Sequence, residues 1–261
     1  MAISTAAPST TGTRVLAMGR AELILLGRNK MALYVALLLP VLMVWMMRRT
    51  IGEMDFGDSG MSLNEASLTG AFGFILLFVV YQNLVSAYVA RREELVLKRL
   101  RTGEASDIEI LGGTALPAVA IAVAQMVVLL VAGVCWLDLR APARIDLMLI
   151  GLVFGLVLSI ALAALTTAWA KTVESAQLVT TPLLLISLMG SGLIVPLETM
   201  PDVLGDVCGL LPLSPVVELV RGGWLGGLSA YKAVGHVATA VAWTVLAVFA
   251  VRRWFRWEPR R

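Results

Sequence analysis

Six uninterrupted apolar runs, each close to the length of helix that crosses a hydrocarbon layer, constrain this 261-residue chain more than any other feature. No water is available inside a bilayer to bond exposed backbone N–H and C=O groups. A spanning segment therefore satisfies them within itself, and about 20 apolar residues of helix cover a core of about 30 Å. The runs are Lys30 to Met47, Leu68 to Ala90, Ile110 to Leu137, Leu147 to Ala170, Leu178 to Leu197 and Tyr231 to Val251. The third is long enough to tilt, and Pro117 inside it predicts a bend.

Composition agrees with lipid as the main solvent: 59% of residues are hydrophobic and 15% charged, beyond the near-even apolar balance of soluble domains. The apolar residues come in blocks, without the helical or alternating spacing that builds a water-facing surface. A net charge of +3, with Lys and Arg at the edges of the runs, argues against a nucleic-acid surface, which would gather them on one face. Cys135 and Cys208 form neither a disulfide framework nor a metal-ligand spacing. Residues Met1 to Thr13, rich in Ala, Ser, Thr and Pro, lack the basic-then-apolar order of a cleavable signal and are expected to be a disordered lead, leaving residues 14–261 as the membrane domain.

Orientation follows from the placement of the positive residues, which short cytoplasmic loops retain. With the N-terminus inside, 15 of the 21 Lys and Arg residues fall on the inner side, among them Arg91, Arg92, Lys98, Arg99 and Arg101, and both termini are cytoplasmic. Trp254 and Trp257, set among arginines after the last run, suit an interfacial aromatic belt. The Gly- and Pro-rich stretch Glu198 to Ala230 is still fairly apolar and reads as short re-entrant or interfacial helices, with Pro196, Pro201, Pro212 and Pro215 shaping the turns.

Within the runs, Tyr81, Gln82, Asn83 and Gln125 are polar groups at depth that either line a substrate path or bond neighbouring helices, packing being the more common role. Gly151 and Gly155 form a Gly-x-x-x-Gly spacing suited to close helix packing. The spans are read as holding no buried charge. No paired carboxylates, nucleophile triad or phosphate-cradling Gly-x-x-x-x-Gly-Lys-(Ser/Thr) loop occurs, so ATP is not bound here by that route.

The first inner loop, Arg91 to Asp107, is the most informative segment. Leu95, Val96, Leu97 and Leu100 lie among charges, and Glu94 to Lys98 is an i,i+4 pair in the favourable order, which predicts a short amphipathic helix ended by Gly103. Composition alone also fits a plain positive anchor. The segment resembles the cytoplasmic connector of ABC transporter permeases of the type-2 exporter family, which runs roughly Arg-Glu-x-Gly-Thr-Leu-x-x-Leu-(Arg)-x-Thr-Pro-x-Ser. Glu94, Leu97, Leu100, Thr102 and Ser106 keep that pattern, Leu95 and Val96 stand where the family has Gly-Thr, and Glu104 falls near its Pro. A second block, Ser191 to Pro201 followed by Leu211 to Pro215 and Arg221, is similar to the same family.

The resemblance implies an all-α, polytopic protein of six transmembrane helices. It adds an N-terminal amphipathic helix at about Arg14 to Gly27, a cytoplasmic coupling helix and a re-entrant extracytoplasmic region before the last span. It further implies a bacterial plasma-membrane permease, not itself an enzyme, paired with a second copy as a homodimer and with two ATP-binding cassette ATPase subunits. ATP and Mg would be bound on those partners and no cofactor on this chain. Contacts to the ATPase would fall on Glu94, Leu97, Lys98, Leu100 and Arg101. Alternating access would move a hydrophobic or amphipathic compound such as a drug or antibiotic, giving efflux and antibiotic resistance. Polysaccharide or lipid export shares the architecture. A membrane-embedded lipid-modifying enzyme, the reading from another class, would need an acid, base or metal cluster at one membrane face, and the sequence displays none.

Overall fold

The computed structural model describes residues 42, 45, 63–102, 106–136, 140–255 and 257–258. The expected lead, the amphipathic stretch Arg14 to Gly27, and Gly103, Glu104 and Leu137 lie outside the described residues, as does the first run except for Leu42 and Trp45, which are helical. The described elements are all helical. They are α1 (Leu63–Phe74), a π-helical continuation (Ile75–Gln82), α2 (Asn83–Glu93), α3 (Val96–Arg101), α4 (Asp107–Trp136), α5 (Ile145–Thr166), α6 (Val173–Gly190), α7 (Asp202–Gly209), α8 (Ser214–Leu225) and α9 (Ala230–Trp254). Among the described residues, five helices are long and apolar enough to cross a membrane: Glu65–Glu93, which joins α1 to α2, then α4, α5, α6 and α9. The chain is a polytopic all-α membrane protein.

Local chemistry sets the helix ends, and it moves them from where the apolar runs suggest. At the start of α4 Ser106 and Glu109 form a reciprocal cap, the Ser106 N–H donating to Glu109 Oε2 at 2.6 Å and the Glu109 N–H to Ser106 Oγ at 3.4 Å. The helix then runs through Pro117 to Trp136 without interruption. Thr172 and Ser175 cap α6 in the same way, so this span starts at Val173, ahead of the expected Leu178. It also stops at Gly190, not Leu197, because the chain turns at Gly192, whose φ of +72° favours a residue without a side chain.

The stretch expected to be re-entrant is a bent pair, α7 and α8, meeting at 102°. Pro196 precedes a single 3-10 turn at Leu197–Thr199, Pro201 precedes α7, and Pro215 occupies the first turn of α8, where a missing N–H costs nothing. Between the helices, the Leu210 carbonyl accepts a bond of 2.8 Å from Trp243 Nε1, halfway along α9. The far end of α8 returns to the start of α5, where the Ala143 and Arg144 N–H groups donate to the Trp224 and Gly223 carbonyls at 3.1 and 2.8 Å. The pair thus dips into the bundle and leaves by the end it entered.

Glycines permit this close approach. A Cβ on Gly223 would lie 2.5 Å from Met148 N and 2.9 Å from Arg144 O, so α8 and α5 touch backbone to backbone. Gly151 and Gly155 continue the seam. A Cβ on Gly151 would come within 2.9 Å of Leu219 Cβ, and one on Gly155 within 2.6 Å of Leu76 Cδ1 and 2.8 Å of Val216 Cγ1. The Gly-x-x-x-Gly spacing therefore serves packing within one chain. Leu76 belongs to the π-helical stretch, a widened backbone that is rare as a regular element and concentrates at functional sites.

Candidate functional site

The loop between the second and third expected spans folds as a clasp at one end of the bundle. α2 ends at Glu93, Glu94 follows as its cap, and the chain reverses through Leu95, which adopts φ 60° and ψ 14°. That left-handed conformation is glycine's ordinary territory and costs a side-chain-bearing residue about 1 kcal/mol or more. It also separates Glu94 from the helix that carries Lys98, so the expected i,i+4 pair does not form. Lys98 Nζ instead meets Glu258 at 2.8 Å. The short helix itself is present as α3, and it ends at Arg101 with Thr102 as its cap.

Two faces of α3 have different fates. Leu97 is fully buried, so it seats the helix on the bundle and is not part of its outer surface. Glu94, Leu95, Lys98, Arg99 and Arg101 are exposed and Leu100 is half-buried. Arg101 pairs with Asp107 at 3.1 Å and lies 4.8 Å over the Trp257 ring, which packs edge-on against Phe255. Phe255 in turn meets Tyr88 edge-on at 6.3 Å. Trp257, expected in an interfacial belt, is thereby part of the clasp, and the C-terminal segment is pinned to the connector. Trp254 is exposed, as a belt residue would be.

Beneath this surface lies the feature that the placement of positive charge conceals. Arg92, counted by sequence among the surface cations, is buried. Its guanidinium donates to the Thr167 carbonyl at 2.8 Å and to the Ala170 carbonyl at 2.5 Å, just beyond the end of α5. Helix C-termini present unpaired carbonyls and a partial negative charge, which a cation satisfies. Arg91 reaches α4 through Thr114 Oγ1 at 2.9 Å, and the Tyr88 hydroxyl donates to the Leu111 carbonyl at 2.9 Å. The base of α2 is thus bonded to α4 and to the α5–α6 turn, and α3 hangs directly from it.

Buried charge is therefore present, contrary to the sequence reading: Arg92, Glu109 and Arg221 are all buried. Arg92 and Glu109 lie at helix ends, where backbone groups compensate them. At the opposite end of the bundle Arg221 bonds Glu218 at 2.9 Å and the Gly192 carbonyl, locking α8 to the turn after α6. The spacing of three between Glu218 and Arg221 on one helix face is the signal of this pair in the sequence.

The polar residues considered for a substrate path have different surroundings. The Tyr81 hydroxyl is buried against Thr166 Oγ1 at 3.1 Å, and Gln82 Nε2 donates to Gln177 Oε1 of α6 at 2.8 Å, both of them bonds between helices. Asn83 is exposed and bonds back to the Val79 carbonyl at 3.1 Å, whereas Gln125 is buried in α4.

The clasp joins three spans and presents one charged helical face. The model of the ABC-2 type transporter family matches residues 13–225. The chain belongs to that family. This ABC-2 type transporter chain is thus the membrane permease of an ABC transporter, a transport subunit of a family that works with an ATPase subunit. The match takes in the connector and the whole α7–α8 pair. No curated protein matches the chain.

Proposed function

We propose that this permease sits in a bacterial plasma membrane with both termini in the cytoplasm. In that reading it pairs with a second copy, and its α3 face docks on each of two ATP-binding cassette subunits that drive export of a hydrophobic or amphipathic compound such as a drug or antibiotic. The supporting observation is the two-sided character of α3. Its exposed Lys98 and Arg101 face outward, as does Glu94 just before the reversal at Leu95, while Leu97 is buried in the bundle and Arg92, at the end of α2, bonds the carbonyls just beyond α5. A push on that face is transmitted through short, satisfied bonds, because packed interiors shift between discrete arrangements more readily than they deform. ATP and Mg act on the partner subunits, and the permease contributes movement alone.

The test is co-expression with an ATPase subunit, followed by nucleotide-dependent uptake of candidate compounds into inverted vesicles. Wild type is expected to retain the ATPase through purification and to accumulate compound only with ATP. Leu100→Asp and Lys98→Glu are expected to lose both while the protein stays folded in detergent. Full transport with both substitutions present would remove α3 from the docking surface. Uptake of lipid-linked glycan in place of small amphiphiles would reassign the cargo.

A further inference from the structure

At the end of the bundle that carries the connector, α4, α5 and α9 enclose a groove of about 770 Å³, within the roughly 300–1,000 Å³ typical of ligand sites. Its walls are apolar: Ile108 and Leu111 from α4, Val157 and Ile160 from α5, Val248 from α9. Several of these are open, Ile108 being 69% and Val157 43% exposed, so the groove opens on the outside of the bundle. Its rim carries Arg101, Arg252 and Asp107. Asp107 is engaged by Arg101, and Arg252 has no bonding partner among the described residues. The rim therefore keeps one positive charge directed at whatever fills the groove.

We propose that this groove holds an anionic phospholipid of the surrounding bilayer, its acyl chain along Leu111, Ile160 and Val248 and its phosphate on Arg252 with help from Arg101. Grooves between spans that combine an apolar wall with basic residues at headgroup level select anionic over zwitterionic lipid, because only the anionic headgroup leaves a net charge for the guanidinium to meet. Phospholipid is the amphiphile always present at that level, which favours it over the transported compound. Arg101, the last residue of α3, also carries Trp257, so the bound headgroup becomes part of the clasp between connector and C-terminal segment. The inference needs only the membrane-spanning fold and is independent of the cargo.

Gly112 gives a clean probe. It lines the groove, and a Cβ there meets nothing within 4 Å, so a side chain at this position starts into open space and replaces a helix-weakening glycine. The full chain, purified in detergent, is incubated with phosphatidylglycerol or phosphatidylcholine and examined by native mass spectrometry. Wild type is expected to retain one phosphatidylglycerol per chain in preference to phosphatidylcholine. Arg252→Glu is expected to reduce that retention about tenfold, and Gly112→Leu to remove it, with helical circular dichroism unchanged in both. Equal retention of the two lipids, or phosphatidylglycerol retention that survives both substitutions, overturns the proposal. So does displacement of the lipid by an exported compound, which would make the groove a cargo site, or crosslinking of a benzophenone at position 157 to the chain's own N-terminal segment.

Discussion

Leu95 occupies a backbone conformation that a glycine would adopt without strain, and it stands where type-2 exporter permeases resembling this chain carry glycine. The resemblance thus had a physical content at this position that only the backbone reveals: the connector must reverse between α2 and α3, and a left-handed residue does it. Leu95→Gly is expected to leave the melting temperature unchanged or raised, relief of about 1 kcal/mol of strain offsetting the greater freedom of glycine in the unfolded chain. Leu95→Val, with a branched Cβ, is expected to lower stability by about 1 kcal/mol or more. Thermal unfolding in detergent distinguishes the two. Arg92 is the second residue that sequence alone misplaces. A rule that counts Lys and Arg at span edges treats every one as a surface charge, and nothing local marks Arg92 as the one turned inward onto carbonyls 75 and 78 residues away. Arg92→Met keeps the volume and removes the donors, leaving buried carbonyls unmet. A loss of roughly 3 kcal/mol is expected, measured by the same unfolding curves.

At the scale of elements, the spans were legible because an apolar run of about 20 residues has few other stable fates, while their ends were not, because caps are made by single side chains such as Thr172 and Ser106. Proline spacing made the α7–α8 bend readable, since Pro212 lies in the turn itself and Pro201 and Pro215 fall at helix starts where the ring is tolerated. The π-helical stretch had no signal in an unbroken Ile-Leu-Leu-Phe-Val-Val run. Helix α3 was predicted correctly as an element and wrongly in its ion pairing, because one residue of reversed backbone outweighs an i,i+4 preference worth a few tenths of a kcal/mol. The exposed Lys98–Glu258 pair is worth little for stability. Lys98→Glu is therefore expected to shift the melting temperature by no more than about 1 °C, and Glu258→Lys made in addition restores the pair. Rescue of ATPase association by the double exchange would assign Lys98 to holding the C-terminal segment; failure of rescue would assign it to the partner's surface.

Across the whole molecule, the chain sorts its loops between two ends. The connector, the α5–α6 turn, Phe255, Trp257 and Glu258 meet at one, while Arg140, Glu198, Arg221 and Lys232 gather around a polar cavity of about 480 Å³ at the other. The alternation was visible in the positive charges, yet the sense of insertion is a property of the membrane and rests on that charge bias. In a background lacking Cys135 and Cys208, single cysteines at positions 99 and 258 are expected to react with an impermeant thiol reagent only in inverted vesicles, and one at Tyr231, itself exposed, only in intact cells. The reverse pattern would invert the protein.

Where Gly223 rests on the amide of Met148, no side chain stands between the two helices to bend, rotate or re-pack. Such a joint has no slack. α5 and α8 therefore travel through any transport cycle as one rigid strut, and whatever opening admits cargo has to be made by the helices that slide around it.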